Sequence, residues 1–224
     1  MEGYLQCIDE LRELCDGELP RGIRQFDIRF RLARSIQISF DSTISYTKTE
    51  STKKTYRALI ELNDLWFAYE GLYALAKTRG LLKASGSKSD PFTEDAADAI
   101  GLSHIVKLLE CRYQSEMLSE PLRRQDYCAY IVYLRDNASS STQKGLLERL
   151  RDKTDASECL DFSSWLALVY AIRNLYVHNT DTAKSGVRSY ATKIAILSIS
   201  IDFMVGCLLA LSERLLSIEI SEHH

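Results

Sequence analysis

Residues 170–182 have the sequence YAIRNLYVHNTDT, which combines a helical apolar pattern with a cluster of polar residues. Apolar residues recur into and through this stretch at helical spacing: Phe162, Trp165, Val169, Ile172 and Tyr176. That spacing predicts a helix with one face in the core. The same helix carries Arg173, Asn174 and His178, in the pattern R-N-x-x-x-H, close to its predicted end at Asn179 and Thr180. A cation, an amide and an imidazole therefore lie at the end of a core helix.

Helical geometry separates these three polar residues. Asn174 and His178 are four residues apart and share one face of the helix. Arg173 precedes His178 by five residues, which places it about 140° around the helix axis and roughly 7.5 Å along it. We therefore expect the arginine and the histidine to diverge within one chain. Two chains that meet across this helix would bring both residue types into one cleft, so the pattern predicts a homodimer.

The R-N-x-x-x-H pattern at a helix end resembles the signature of the HEPN superfamily. The resemblance implies an all-α domain that is often dimeric and, in many members, is a metal-independent ribonuclease with Arg173, Asn174 and His178 at its site. Other members have lost catalysis and only bind nucleotides or partners. The chain departs from the toxin subgroup with R-x-x-x-x-H-x-Y, because Thr180 stands where that pattern has its tyrosine.

These residue types suit RNA cleavage, because RNA carries its own nucleophile, the 2′-hydroxyl, beside each phosphate. We expect His178 to take the hydroxyl proton, since imidazole titrates near neutral pH. We expect Arg173 to bind the phosphate through its planar guanidinium group, and Asn174 to orient the imidazole or the ribose. The predicted products are a 2′,3′-cyclic phosphate and a 5′-hydroxyl. The reaction requires no metal ion or other cofactor.

Charge distribution limits where RNA could bind. The formal net charge of −3 excludes a general attraction of the whole chain to nucleic acid, so RNA contacts must come from local patches. The densest positive run holds five arginines: Arg21, Arg24, Arg29, Arg31 and Arg34. It predicts an RNA-backbone track that includes Arg29 and Arg31; the alternative is a solvated helix face with salt bridges. After the motif, backbone N–H groups near Thr182 predict an anion seat, with Lys184 and Arg188 as backbone contacts or as ordinary surface charges.

Composition indicates a helical protein. Hydrophobic residues make up 46% of the 224 residues, and the chain has only 3 Pro and 10 Gly. We expect an all-α, HEPN-like bundle of at least five helices with extra peripheral helices, in a single domain at 1–220 whose motif-bearing core is at about 90–220. Residues 23–50 fit both a strand and a helix pattern, and we predict helix there. One helix is predicted from Asp90 to about Met117.

The longest periodic segment predicts a last helix at about residues 182–218, where apolar residues follow a three-four repeat. Its length would allow a membrane span, but Asp202 in the middle favours a buried helix. The six cysteines lack metal-binding spacing and predict reduced, mostly buried thiols. No signal peptide pattern opens the chain, so we expect a cytoplasmic protein. Residues 221–224 are expected to be a tag remnant.

Together these patterns predict a metal-independent endoribonuclease with RNA as its substrate and a role in prokaryotic defence, stress or a toxin–antitoxin pair. An antitoxin protein is then a further partner. The alternative is a catalytically inactive HEPN-like module that binds nucleotides, RNA or another protein. In that case Arg173, Asn174 and His178 form only a hydrogen-bonded cluster at the end of a helix.

Overall fold

The computed structural model describes residues 2–39, 50–83, 91–92, 94–178 and 182–223. Within those ranges the protein is all-α, as predicted, with nine α-helices, one π-helical turn and no strand. The helices are α1 (Glu2–Leu14), α2 (Arg21–Ser35), α3 (Glu50–Thr78), α4 (Glu94–Ala99), α5 (Leu102–Tyr113), α6 (Pro121–Asp136), α7 (Ser141–Asp155), α8 (Phe162–His178) and α9 (Tyr190–His223). The π-helical turn, Gln114–Leu118, continues α5.

Helix α8, which carries the R-N-x-x-x-H pattern, is held in the middle of the fold. Asp161 caps its start, where a carboxylate oxygen accepts a hydrogen bond from Ser164 N at 2.7 Å. From Ser164 to Val169 every residue is buried, so this half of the helix has core on all sides rather than on one face. Towards its end the helix reaches the surface, and His178 is exposed. The site residues thus lie where a core helix meets solvent.

Aromatic contacts fix the position of α8 against its neighbours. The ring of Tyr170 lies 5.1 Å from that of Trp66 in α3. On another side Trp165 stacks on Phe203 of α9 at 5.7 Å and meets Tyr113 of α5 edge-on at 5.4 Å. Such ring pairs add stabilisation beyond the apolar area that they bury. The polar end of α8 is therefore presented on a rigid support.

Helix α9 begins later than predicted. It starts at Tyr190 rather than near residue 182, and it continues to His223. Residues 183–186 form turns, and Gly186 has a φ of 74°, a left-handed conformation that favours glycine. The carboxylate of Asp126 in α6 then accepts hydrogen bonds from Arg188 N at 2.7 Å and Ser189 N at 3.1 Å. A side chain from another helix therefore decides where α9 begins.

Helix α9 packs along α3 and also contacts α1 and α5. Asp202 forms an ion pair with Arg112 of α5 at the protein surface. By length and composition α9 could cross a membrane, since it contains a window of mean hydropathy 2.4, of which 56% is buried inside the protein. Core helices of soluble proteins have the same composition, so hydropathy alone assigns this helix to neither environment.

The segment predicted as one helix from Asp90 to Met117 is interrupted. Helix α4 ends at Ala99, and Gly101 adopts a φ of 82° before α5 begins at Leu102. Gly101 interrupts the helix, but the apolar periodicity on both sides of it had predicted a continuous helix. Asp90, the predicted cap, lies outside the described residues.

The prediction of helix for residues 23–50 is confirmed in part. Residues 23–35 lie in α2, where Phe26 and Phe30 are buried. Residues 36–39 have no regular secondary structure, and residues 40–49 lie outside the described part of the chain. Helical spacing rather than alternation describes α2, because its buried positions recur every three or four residues.

The cysteines are less buried than predicted. All six are free thiols, but only Cys207 is buried, and Cys111 and Cys159 are exposed. Burial raises the pKa of the Cys207 thiol well above its usual value. Cys207 therefore behaves as an apolar core residue.

Candidate active site

The end of α8 forms one wall of an open cleft of about 440 Å³. Helix α3 and the junction between α6 and α7 form the other walls. The polar residues that line the cleft come from all of these elements: Glu70, Asn137, Ser139, Gln143, Arg173, Asn174 and His178. A cleft of this volume is in the range of small-ligand sites. All three residues of the R-N-x-x-x-H pattern thus face the same space.

Arg173 and His178 converge within one chain, which contradicts the predicted divergence. Arg173 Nη1 lies 3.5 Å from His178 Nε2, at the outer limit of a hydrogen bond, and donates to Asn174 Oδ1 at 3.0 Å. The predicted divergence applies to the Cα–Cβ directions, whereas the long arginine side chain reaches His178 with its guanidinium group. Since the guanidinium group has no acceptor nitrogen, it can only donate in this contact, and the acceptor is then Nε2 of the imidazole.

The charge of Arg173 is not balanced by a carboxylate. Among the residues that the structure describes, Arg173 forms no ion pair, and its Nε atom is buried without a hydrogen-bond partner. Its guanidinium carbon lies 5.4 Å from the ring centre of Phe67 in α3, which is a cation–π arrangement. An unsatisfied buried N–H group is costly. Such a group in a native protein calls for an explanation, and a ligand is one.

A second arginine lies on the same ring. The guanidinium carbon of Arg29 in α2 is 5.7 Å from the ring centre of Phe67. Arg29 and Phe67 also line a neighbouring surface cleft of about 370 Å³. We call Arg29, Phe67, Arg173 and His178 the arginine strip. Phe67 is only half-buried, and the sequence carried no signal that two arginines would share its ring.

The other predicted RNA contacts lie elsewhere. Arg31 donates from Nε to Asp27 Oδ1 at 2.8 Å, so a carboxylate already balances its charge. Lys184 lies over the ring of Tyr190 at 5.7 Å, and Arg188 lines a separate cleft beside Arg123. None of these three lines the cleft at His178. The structure therefore brings only Arg29 close to the catalytic candidates.

The backbone N–H groups that were predicted to bind an anion near Thr182 are bonded to other groups of the protein. The helix that was to supply it starts at Tyr190, and the carboxylate of Asp126 already accepts from the N–H groups of Arg188 and Ser189. The backbone N–H of Thr182 donates to Ser185 Oγ at 3.0 Å. These three N–H groups are thus used within the protein. No group of three or more His, Cys, Asp or Glu side chains suited to a metal ion occurs among the described residues.

Four polar residues of the cleft were not predicted from the sequence: Glu70, Asn137, Ser139 and Gln143. Glu70 accepts a hydrogen bond from Trp66 Nε1 at 3.2 Å and adds a carboxylate to the wall. Gln143 is the third residue of α7, and the only signal that it gave in the sequence was its spacing from Ser140. Neither could be placed in the cleft before the packing of α3 and α7 was known.

Comparisons with known proteins give no further assignment. No family model, no curated protein and no solved structure matches this chain.

Proposed function

We propose that this chain is a HEPN-type endoribonuclease that cleaves RNA without a metal ion. The observation that carries the proposal is the pairing of Arg173 with His178 at an open cleft, 3.5 Å apart, without a carboxylate to neutralise the guanidinium among the described residues. A cation and an imidazole side by side are the two groups that cleavage by the 2′-hydroxyl requires. The R-N-x-x-x-H resemblance supports the same assignment.

The proposed reaction begins when a phosphate enters the cleft. It replaces His178 as the acceptor for Arg173 Nη1, and the guanidinium group then neutralises the charge that builds on the phosphate oxygens. His178 Nε2, released from that contact, takes the proton of the 2′-hydroxyl. The O2′–P bond forms as the P–O5′ bond breaks, and the leaving oxygen takes a proton from water in the open cleft. The products are a 2′,3′-cyclic phosphate and a 5′-hydroxyl.

Asn174 is proposed to position the arginine. Its Oδ1 accepts from Arg173 Nη1 at 3.0 Å, so it holds the guanidinium group beside the cleft. From the sequence we expected Asn174 to orient the imidazole of His178 or the ribose. In the refined proposal Asn174 acts through Arg173, and its amide Nδ2 is left for the substrate.

The arginine strip is the proposed path for the RNA backbone. Arg29 and Arg173 lie on one ring, Phe67, so each of the two neighbouring clefts has a cation in its lining. Phosphates of a single strand follow such paired cations. The carboxylate of Glu70 on the cleft wall limits the path on the side of α3, since it repels phosphate.

The biological setting rests on the resemblance. We propose a cytoplasmic enzyme of prokaryotic defence, stress response or a toxin–antitoxin pair, with RNA as substrate and an antitoxin protein as a further partner. A homodimer through α8 is part of the same proposal. Its geometric argument does not hold, because one chain already brings Arg173 and His178 together.

One observation favours the second candidate, a catalytically inactive binding module. Arg173 Nη1 is shared between Asn174 Oδ1 and His178 Nε2, so the cluster is hydrogen-bonded without any ligand. A module of this kind would bind RNA or nucleotides in the cleft and leave them intact.

One assay separates the two candidates. Purified protein is incubated with total RNA and with transfer RNA in the presence of EDTA, beside a His178→Ala variant. His104, an exposed histidine on α5, supplies the matched control as His104→Ala. We expect the wild type and His104→Ala to cleave RNA and to leave cyclic phosphate ends. We expect no cleavage by His178→Ala. Binding without cleavage supports the inactive module, and cleavage that needs Mg²⁺ contradicts the mechanism.

A further inference from the structure

Gln143 is a buried polar side chain that the proposed reaction does not use. It lies in the first turn of α7, exposes only 5% of its surface and lines the same cleft as His178. Within the described part of the chain its side-chain amide has no hydrogen-bond partner. Since the buried atoms that lack a partner do not include those of Gln143, its amide reaches the solvent of the cleft. It is therefore available to a ligand that enters the cleft.

The local role that its sequence position suggests is not filled. Ser140 and Gln143 have the spacing of a capping box, in which each residue satisfies a backbone N–H of the other. Ser140 Oγ does accept from Gln143 N at 3.1 Å. The reciprocal bond, from Ser140 N to the glutamine side chain, is not formed in the structure. Gln143 lines the cleft, and its side chain does not complete the capping box.

We propose that Gln143 determines base specificity by pairing with the edge of a nucleobase beside the cleaved phosphate. An amide presents a donor and an acceptor side by side, and the arrangement of the complementary acceptor and donor differs from base to base, so an amide held in one orientation favours one base over the others. Asn174 presents a second amide in the same cleft, next to Arg173. The phosphate site and the base site are thus two parts of one cleft. This inference rests on the proposed function, since it takes RNA to be the ligand.

The cleft has the room and the chemistry for this ligand. Its volume of about 440 Å³ is large enough for one nucleotide. The wall around Gln143 combines polar groups of Asn137 and Ser139 with the apolar side chains of Leu134 and Leu175. A base has polar edges and apolar faces, so it matches such a wall better than a second phosphate would.

Two readouts test the inference. Cleavage of RNAs that differ in the base next to the scissile phosphate is compared between wild type and Gln143→Met, which keeps the volume and removes the amide. Binding of the four nucleoside 3′-monophosphates is measured by calorimetry on the same proteins. Gln114, a glutamine on the π-helical turn outside this cleft, supplies the matched control as Gln114→Met. Thermal unfolding checks that each variant is folded.

We expect the wild type to prefer one base over the other three. In Gln143→Met the ratio of preferred to other bases should fall about 10-fold, in cleavage and in nucleotide binding. Gln114→Met should keep the wild-type ratio. A cleavage profile and nucleotide preference that are the same in folded Gln143→Met and wild type would overturn the inference. If the wild type binds one nucleotide selectively through Gln143 but cleaves no RNA, the inference stands and the proposed ribonuclease falls. If it cleaves RNA without any base preference, the ribonuclease stands and the inference falls.

Discussion

Arg173 Nη1 lies 3.5 Å from His178 Nε2 in the same chain, although the two residues leave the helix in directions about 140° apart. The contact is possible because the arginine side chain is long, and the Phe67 ring lies against its guanidinium group. One chain therefore contains both groups that the proposed chemistry needs. The first two predictions follow from this arrangement.

Arg173→Ala and His178→Ala are each expected to lower the rate of RNA cleavage by about 10²–10⁴-fold, because each removes one of the two groups that stabilise the transition state. Both variants should stay folded, since His178 is exposed and the buried half of α8 is untouched. Cleavage is measured with a labelled RNA in EDTA, and folding by circular dichroism. Activity of His178→Ala close to that of His104→Ala would contradict the assignment.

Mixing Arg173→Ala with His178→Ala distinguishes a site within one chain from a site shared between two. If each site lies in one chain, every chain in the mixture lacks one group, and activity stays at the level of the single variants. We expect this outcome because the two residues meet within one chain. The two variants are co-expressed with different tags, and the mixed species is purified on both tags. Sedimentation establishes whether that species is a dimer, and restored activity would favour a shared cleft.

Arg29 and Arg31 are expected to differ in RNA binding, although only one residue separates them. Arg29→Ala removes a cation from the arginine strip and should weaken RNA binding. In a plot of log affinity against log salt concentration, the magnitude of the slope should fall by about 1. Arg31→Ala should change both less, because Asp27 already balances Arg31 at 2.8 Å. Affinity is measured by fluorescence anisotropy over a range of salt concentrations. Equal effects of the two substitutions would show that the arginine run acts as a general charge.

Gly186→Ala is expected to destabilise the protein by about 2 kcal/mol or more. Gly186 has a φ of 74°, and a Cβ added there would lie 2.3 Å from Tyr133 Cδ1. Gly145→Ala in α7 is the matched control, since an added Cβ meets nothing within 4 Å. Alanine in that helical position should stabilise the protein by about 0.5–1 kcal/mol. Chemical denaturation measures both, and a Gly186→Ala variant as stable as wild type would exclude the described turn.

Asp161 is expected to make the stability of the protein sensitive to acid. Burial opposes its ionisation, but hydrogen bonds from Lys153 and Ser164 outweigh that effect and hold the pKa of Asp161 below its usual value. The folded pKa is then lower than the unfolded one, so the carboxylate stabilises the folded state above about pH 4. That contribution is lost as the pH falls through the folded pKa.

Asp161→Asn keeps a capping oxygen for α8 and removes the charge. We expect it to be less stable than the wild type near neutral pH and to approach wild-type stability as the pH is lowered below about 4. Thermal unfolding at a series of pH values measures the difference. A deficit that stays constant across the series would show that the charge of Asp161 has no part in it.

Local signals in the sequence determined the helical class and several helix boundaries. Pro121 starts α6 and Asn137 follows its end, and Asp161 caps α8. These boundaries were predictable because proline, an amide or a carboxylate acts on backbone groups a few residues away. The sequence also indicated Arg173, Asn174 and His178 as candidates, since no apolar pattern accounts for them.

Only the tertiary structure decided how these candidates are arranged. The start of α9 depends on Asp126, which is 62 residues from Arg188 along the chain. The pairing of Arg173 with His178, the place of Phe67 under two arginines and the unpaired amide of Gln143 all depend on how α2, α3, α7 and α8 pack. Helical periodicity reports where the Cβ atoms point. It carries no information on how far a long side chain bends or on what the next helix places beside it.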